Sequence, residues 1–165
     1  MVAKSLMAAL AAGLIGLTGC VGDKEGSVSE APIPTSPAAR DQSKPGPADA
    51  DAPTEFKTTK SGLKYRVLRK SDKEKPTRSD TVTVHYRGWL DNGTEFDSSY
   101  KRGEATTFPL GQVVPGWTEG LQLVGEGGMI ELEIPSNLGY GARGMPPTIP
   151  GGATLHFIVE LVKIK

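Results

Sequence analysis

Between Thr81 and Leu90 the chain alternates without a break: Val82, Val84, Tyr86, Gly88 and Leu90 interleave with Thr81, Thr83, His85, Arg87 and Trp89. Successive side chains of a strand point to opposite faces, so a period of two marks a strand with one face on a core and the other toward water. Asp91-Asn92-Gly93 follows at once, and Asn and Gly tolerate the positive φ of a tight hairpin turn. A second strand is therefore expected through Thr94, Glu95 and Phe96. Ile130, Leu132 and Ile134 repeat the alternation with Met129, Glu131 and Glu133. Leu155, Phe157, Val159 and Leu161 repeat it with His156, Ile158, Glu160 and Val162, and Leu63 to Leu68 is a less regular run. Half-apolar strands joined by turns pair antiparallel and bury their apolar faces against another layer.

One stretch reads as that layer. Val113-Val114-Pro115-Gly116-Trp117-Thr118-Glu119-Gly120 carries an apolar pair into a Pro-Gly break. A residue before proline is driven to extended geometry and proline suits a first helical turn. The spacing thus predicts a helix from Pro115 to Val124, closed by Gly125 at the C′ position. Trp117 and Leu121, four apart, share the face turned to the sheet. The fold class is α+β, a curved antiparallel sheet with one short helix on one face. Trp117 is either ordinary core or the floor of an apolar pocket, and the aromatics elsewhere decide between the two.

The 165 residues allow one domain of ordinary size plus appendages. Residues 1–19 hold Lys4, an apolar run from Leu6 to Leu17 too short to span a bilayer, and then Leu17-Thr18-Gly19-Cys20 at the boundary. This resembles a bacterial lipoprotein signal with its lipobox, which implies removal of residues 1–19 and lipidation of Cys20. A plain secretory signal with a chance cysteine is the other reading. Cys20 is the only cysteine, which excludes an intrachain disulfide, a CxxC pair and a cysteine-rich metal site. From Val21 to about Phe56, Pro32, Pro34, Pro37, Pro45, Pro47 and Pro53 are scattered among Gly, Ser, Ala, Asp and Glu, with no aromatic before Phe56. Such a segment cannot bury enough apolar surface to offset the entropy of ordering. Residues 20–56 therefore read as a disordered tether and 57–165 as the folded domain. A coil of roughly 35 residues reaches about 30 to 35 Å. Lys and Arg, 19 together, balance 19 Asp and Glu, and a near-neutral balance offers no electrostatic case for nucleic acid.

Three motifs that carry chemistry in other contexts lack the context here. Gly139-Tyr140-Gly141-Ala142-Arg143-Gly144 matches a phosphate-binding G-x-G-x-x-G, but Met145-Pro146-Pro147 follows and forbids the helix that motif needs. His85 and His156, the only histidines, fall on the polar faces of expected strands with no carboxylate cluster, so surface positions are expected and no metal site. Ser98, Ser99 and Ser136 sit in no nucleophile elbow and have no obvious base.

What remains is an aromatic set at strand ends and loops: Tyr86, Phe96, Phe108, Trp117, Tyr140 and Phe157. Val84-His85-Tyr86-Arg87-Gly88, Gly93-Thr94-Glu95-Phe96-Asp97-Ser98-Ser99, the Val113–Gly120 segment, Tyr140-Gly141 and Ile149-Pro150-x-x-Ala153-Thr154-Leu155-x-Phe157 carry the resemblance. In this order they are similar to the successive blocks of the FKBP-type peptidyl-prolyl cis-trans isomerases, over nearly the whole folded part.

The resemblance implies a five- to six-stranded antiparallel sheet wrapped round one short helix, with a proline pocket between them. In it Trp117 is the floor and Tyr86, Phe96 and Phe157 are walls. Phe108, Val113 and Val114 add wall and rim, and Asp97 holds the polar edge. Tyr140 offers its hydroxyl, and Ile149 its backbone N–H, to the peptide carbonyls beside the proline. Thr106 and Met145 stand where the best-known eukaryotic members carry an aromatic and a histidine, which bears on affinity for macrolide inhibitors such as tacrolimus and rapamycin. The implied partners are proline-containing polypeptides, with no cofactor and no metal. A lipid-anchored binding module or holdase chaperone without turnover is the competing class. Val21 after the lipidated cysteine, where an aspartate typically marks inner-membrane retention, points to the outer membrane with the domain in the periplasm. Exposure at the cell surface is the alternative. The family's long helical dimerisation segments have no counterpart in the tether, so a monomer is expected.

Overall fold

The computed structural model describes residues 43–165, so the expected signal, Cys20 and the tether before residue 43 lie outside the described residues. Seven strands form one antiparallel sheet: β1 (Lys57–Thr58), β2 (Lys64–Arg69), β3 (Thr81–Leu90), β4 (Glu95–Ser98), β5 (Thr106–Pro109), β6 (Met129–Ile134) and β7 (Leu155–Ile164). Their order is β1-β2-β6-β7-β3-β4, with β5 also on β3. β5 pairs with the start of β3 through Val82↔Phe108, and β4 with its end through Gly88↔Asp97. β3 and β6 have the bounds their alternation predicts. The two-residue β1 and the run Thr-Thr-Phe-Pro of β5 were not legible as strands, because neither is long enough to show a period.

Alternation in sequence becomes alternation in burial. Along β3 the inward residues Val82, Val84, Tyr86 and Leu90 are buried, and β6 and β7 contribute Ile130, Leu132, Ile134, Leu155, Phe157, Val159 and Leu161 to the same core. Each fully buried side chain of this size contributes about 1.5 to 3 kcal/mol relative to exposure. The helix α2 (Pro115–Leu121) closes that face, with Trp117 and Leu121 pointing into it. Gly116 and Gly120 let it lie close on β6. A Cβ on Gly116 would stand 2.5 Å from Ile134, and one on Gly120 2.7 Å from Leu132.

The helix is shorter than expected. After Leu121 the chain tightens into i→i+3 turns, with Leu123 N donating to Gly120 O at 3.1 Å and Val124 N to Leu121 O at 3.4 Å. Gly125 is therefore not a left-handed cap. It is a glycine because a Cβ there would lie 2.4 Å from the Lys73 carbonyl, where the chain crosses. A second helix, α1 (Ser99–Arg102), is a single turn, too short to show a period in the sequence. Ser98 caps it, accepting from Lys101 N, and Gly103 ends it in the left-handed region at φ 74°. Among the described residues no helix is long and apolar enough to cross a membrane.

The expected boundary at residue 56 falls inside a bonded segment. Gly46 N donates to Glu160 Oε1 at 2.6 Å, Asp49 N to Leu68 O at 2.7 Å, and Lys70 N to Asp49 Oδ2 at 2.8 Å. Arg66 donates to Thr54 O at 2.9 Å and lies over the Phe56 ring. Contacts with the sheet therefore begin about ten residues before the expected start, made by backbone groups and Asp side chains that hydrophobicity patterns do not report. Glu160 belongs to the outward series of β7 with His156 and Ile158, yet it is only 3% exposed, beneath this strap.

Candidate active site

Where β3, β4, β5, β7 and the start of α2 converge, five rings meet. Trp117 takes three near-perpendicular contacts, with Phe157 at 5.1 Å, Tyr86 at 5.2 Å and Phe108 at 5.8 Å between centroids. Phe96 meets Phe157 edge-on at 5.4 Å. Edge-to-face packing fixes ring orientation as well as burying area. Gly88 makes it geometrically feasible, because a Cβ on it would stand 2.6 Å from Phe157 and 2.7 Å from Phe96.

These rings line a pocket of about 440 Å³. Of the residues named from the sequence, Tyr86, Phe96, Asp97, Phe108, Val113, Val114, Trp117, Tyr140 and Phe157 all line it; Gln112, Met145 and Thr148 complete it. The walls are apolar and the rim is open. Trp117 is buried, and its Nε1–H has no partner among the described residues. Another cleft, of about 340 Å³ between residues 53–57, β2 and Gly125, has one aromatic, Tyr65, and holds Arg66 and Lys70 already paired with Glu131 and Asp51. It has no ring floor on which a proline would stack.

One expected residue is placed otherwise. Ile149 is 1% exposed and does not line the pocket, and its N–H donates to Met145 O at 2.9 Å. With Met145 N donating back to Ile149 O at 2.8 Å, it closes the loop that sets Met145 and Thr148 at the rim. An unengaged backbone donor on the pocket wall is found at Val114. The Val114 carbonyl starts α2 by accepting from Trp117 N at 2.9 Å, while its N–H has no partner among the described residues. A residue before a helical proline is left out of the helix ladder, which frees that donor. The Tyr140 hydroxyl likewise has no partner among the described residues, and its side chain is half-exposed at the rim.

The polar edge is a closed triad. Tyr86 Oη donates to Asp97 Oδ2, and Arg102 donates to Asp97 Oδ1 and, at 2.9 Å, to Tyr86 Oη. Burial first, and the Asp97 carboxylate second, push the Tyr86 phenol up to about 12, so it stays a donor at neutral pH. Arg102 was not among the residues singled out from sequence, because the one-turn helix that aims it was not legible. It also donates to Thr106 Oγ1 at 3.2 Å, so Thr106 serves the triad and does not line the pocket. The buried Ser99 accepts from Tyr86 N at 2.8 Å and meets His85 Nδ1 at 3.1 Å, locking α1 to β3. His85 stacks on Tyr100 at 5.2 Å; His156 bonds Asp91 at 2.7 Å and stacks on Trp89, so both are more embedded than bare surface positions. The glycine-rich run 139–144 forms turns around Tyr140, with Gly144 N donating to Tyr140 O at 3.1 Å.

A sheet curved over one helix with a ring-lined pocket at their junction defines a class. The sequence model FKBP_C, described as FKBP-type peptidyl-prolyl cis-trans isomerase, matches residues 72–162, and the chain belongs to that family. A probable FKBP-type peptidyl-prolyl cis-trans isomerase FkpA of Neisseria meningitidis is 53% identical over 108 residues, 66% of this chain and 40% of that protein. The crystal structure of FkpA from Escherichia coli superposes with a TM-score of 0.66 at 49% identity, covering 68% of this chain and 53% of that one. A peptidyl-prolyl cis-trans isomerase of Pseudomonas syringae pv. tomato gives 0.64 at 32% identity, covering 68% and 83%. The chain thus spans about two fifths of the length of the Neisseria relative.

Proposed function

We propose that this domain accelerates rotation about Xaa-Pro bonds, with the proline ring seated on Trp117 and its amide twisted inside the aromatic enclosure. The observation that carries the reading is a ring-walled floor beside two unengaged donors, Val114 N–H and Tyr140 Oη. Unaided rotation faces a barrier of about 18 to 20 kcal/mol. No covalent bond breaks, so no acid, base, nucleophile or metal is needed. An acceleration on the order of 10⁴ requires about 5.5 kcal/mol.

Amide planarity rests on resonance that separates charge, and water supports that separation. Transfer to a dry pocket weakens the support. The two donors grip the flanking carbonyls and favour the twisted amide over both planar forms, which is differential binding. Asp97 and Arg102 act one step back, holding the Tyr86 hydroxyl in place. Tacrolimus- and rapamycin-type macrolides would occupy the same pocket, with one aromatic contact fewer because Thr106 carries no ring. A protease-coupled assay on a Xaa-Pro peptide tests the activity. Acceleration that Tyr140→Phe reduces while the fold persists is expected; none from the wild-type protein overturns the reading.

We further infer that the mature chain is lipidated at Cys20 and held, as a monomer, at the outer membrane facing the periplasm, assisting exported proteins to fold. The lipobox-like Leu17–Cys20 supports the lipidation, and the Val21 after it the choice of membrane. Palmitate labelling that disappears in Cys20→Ser is the expected result; equal labelling of both would contradict it.

A further inference from the structure

We propose that a cleft beside the proline pocket, built around Arg78, is a second subsite that takes an acidic side chain of the client, near the proline in sequence. The inference rests on the isomerase reading above. The cleft has a volume of about 410 Å³ and shares Val113 with the proline pocket, so one residue is a wall of both. A peptide whose proline lies on Trp117 and whose chain leaves over Val113 enters it directly. Its other side is the first turn of α2, at Pro115 and Thr118.

The polar side chains of the cleft differ in what they have free. Thr118 Oγ1 donates to Leu110 O at 2.7 Å, and Gln122 Nε2 to Thr118 O at 2.6 Å. Glu119 accepts from Ser61 Oγ at 2.6 Å. Arg78 is exposed and has no hydrogen-bond or ion-pair partner among the described residues, whereas Arg66, Arg69, Arg87 and Arg102 each hold a carboxylate. A guanidinium presents five donors in a planar fork matched to a carboxylate.

The backbone under Arg78 is fixed, which makes the charge a positioned one. Asp80 N donates to Thr77 O at 3.1 Å, and the Asp80 carboxylate accepts from Thr77 N at 2.7 Å and Thr77 Oγ1 at 3.0 Å. Leu110 N donates to Asp80 O at 2.9 Å, and a Cβ on Gly111 would stand 3.0 Å from Arg78 O. The Arg78 turn is thus pressed against the very turn that delivers Val113 to the pocket.

The test is a set of end-capped proline peptides in which a single Glu is moved through the positions on either side of the Xaa-Pro pair, with an all-neutral parent, assayed on the full-length protein and on Arg78→Ala. At one position on one side, kcat/KM should rise about two- to fivefold over the parent, the size of an exposed ion pair. The gain should vanish in Arg78→Ala and shrink with salt, while the parent peptide is turned over equally by both proteins. A flat scan, or a gain that survives Arg78→Ala, overturns the subsite. Failure to turn over even the neutral parent instead removes the isomerase reading on which the subsite rests.

Discussion

Gly88→Ala adds a single methyl group at the point where the walls of the pocket depend on there being none. The new Cβ would lie 2.6 Å from Phe157 Cε1 and 2.7 Å from Phe96 Cζ, against the roughly 3.5 to 4.0 Å of a relaxed carbon contact. Both rings must retreat by about 1 Å, but Phe157 is already edge-on to Trp117 at 5.1 Å and to Phe96 at 5.4 Å. The substitution also sits in paired backbone, opposite Phe157 on one side and Asp97 on the other, so the strand has little freedom to yield. Overpacking of this kind costs about 1 to 3 kcal/mol of stability. Displacing a binding wall by 1 Å lowers the rate by up to about a hundredfold. Urea unfolding and a proline-isomerisation assay, both run at a temperature where the variant is fully folded, separate the two effects. A variant with wild-type stability and wild-type kcat/KM would show that the rings are not packed on Gly88 as described, and would remove the basis for calling them walls.

Arg102→Met should leave the fold in place and lower kcat/KM by about tenfold, the effect of losing a hydrogen bond to a charged group at 1.5 kcal/mol or so; unchanged kinetics would show that the Tyr86–Asp97–Arg102 triad has no part in turnover. Because the folded-state phenol of Tyr86 is raised to about 12, the stability it contributes is fully present below its ordinary value near 10 and is lost as pH rises from there through about 12. The stability difference between wild type and Tyr86→Phe, measured by denaturant unfolding, should therefore be constant at neutral pH and fall across that alkaline window. A difference that grows there would contradict the assigned direction. Glu160→Gln weakens the acceptor held by Gly46 N and Arg69, so amide exchange at residues 46–51 should speed while exchange in β3 stays slow; equal protection in both proteins would mean the strap is not anchored there.

Legibility followed length and period. β3 and β6 were readable to the residue because each shows several turns of strict alternation, and the rings of the pocket were readable because they sit in ordered blocks with a known likeness. The failures have one physical origin. β1, β5 and α1 are too short for a period, and the strap from Gly46 to Phe56 is held through backbone groups and carboxylates that composition does not weigh. Arg102 is aimed by α1 and is illegible with it, and the Ile149 N–H that the sequence offers as a donor is consumed by the loop bonds of Met145 and Ile149. Val114, in front of the helical Pro115, keeps its N–H unengaged, as the Val-Pro junction in the sequence implies. Gly125, spaced like a cap, is a glycine because the carbonyl of Lys73 leaves no room for a Cβ.

Exchange NMR on a labelled protein with an equilibrium mixture of a Xaa-Pro peptide puts both halves of the proposal in one tube. Cis–trans exchange of the peptide should speed by orders of magnitude while the buried Trp117 Nε1–H resonance shifts and that of Trp89, on the outer face, does not. Unaccelerated exchange, or a shift confined to Trp89 or to the cleft around Tyr65, would mean that the ring-lined pocket is not where proline is turned.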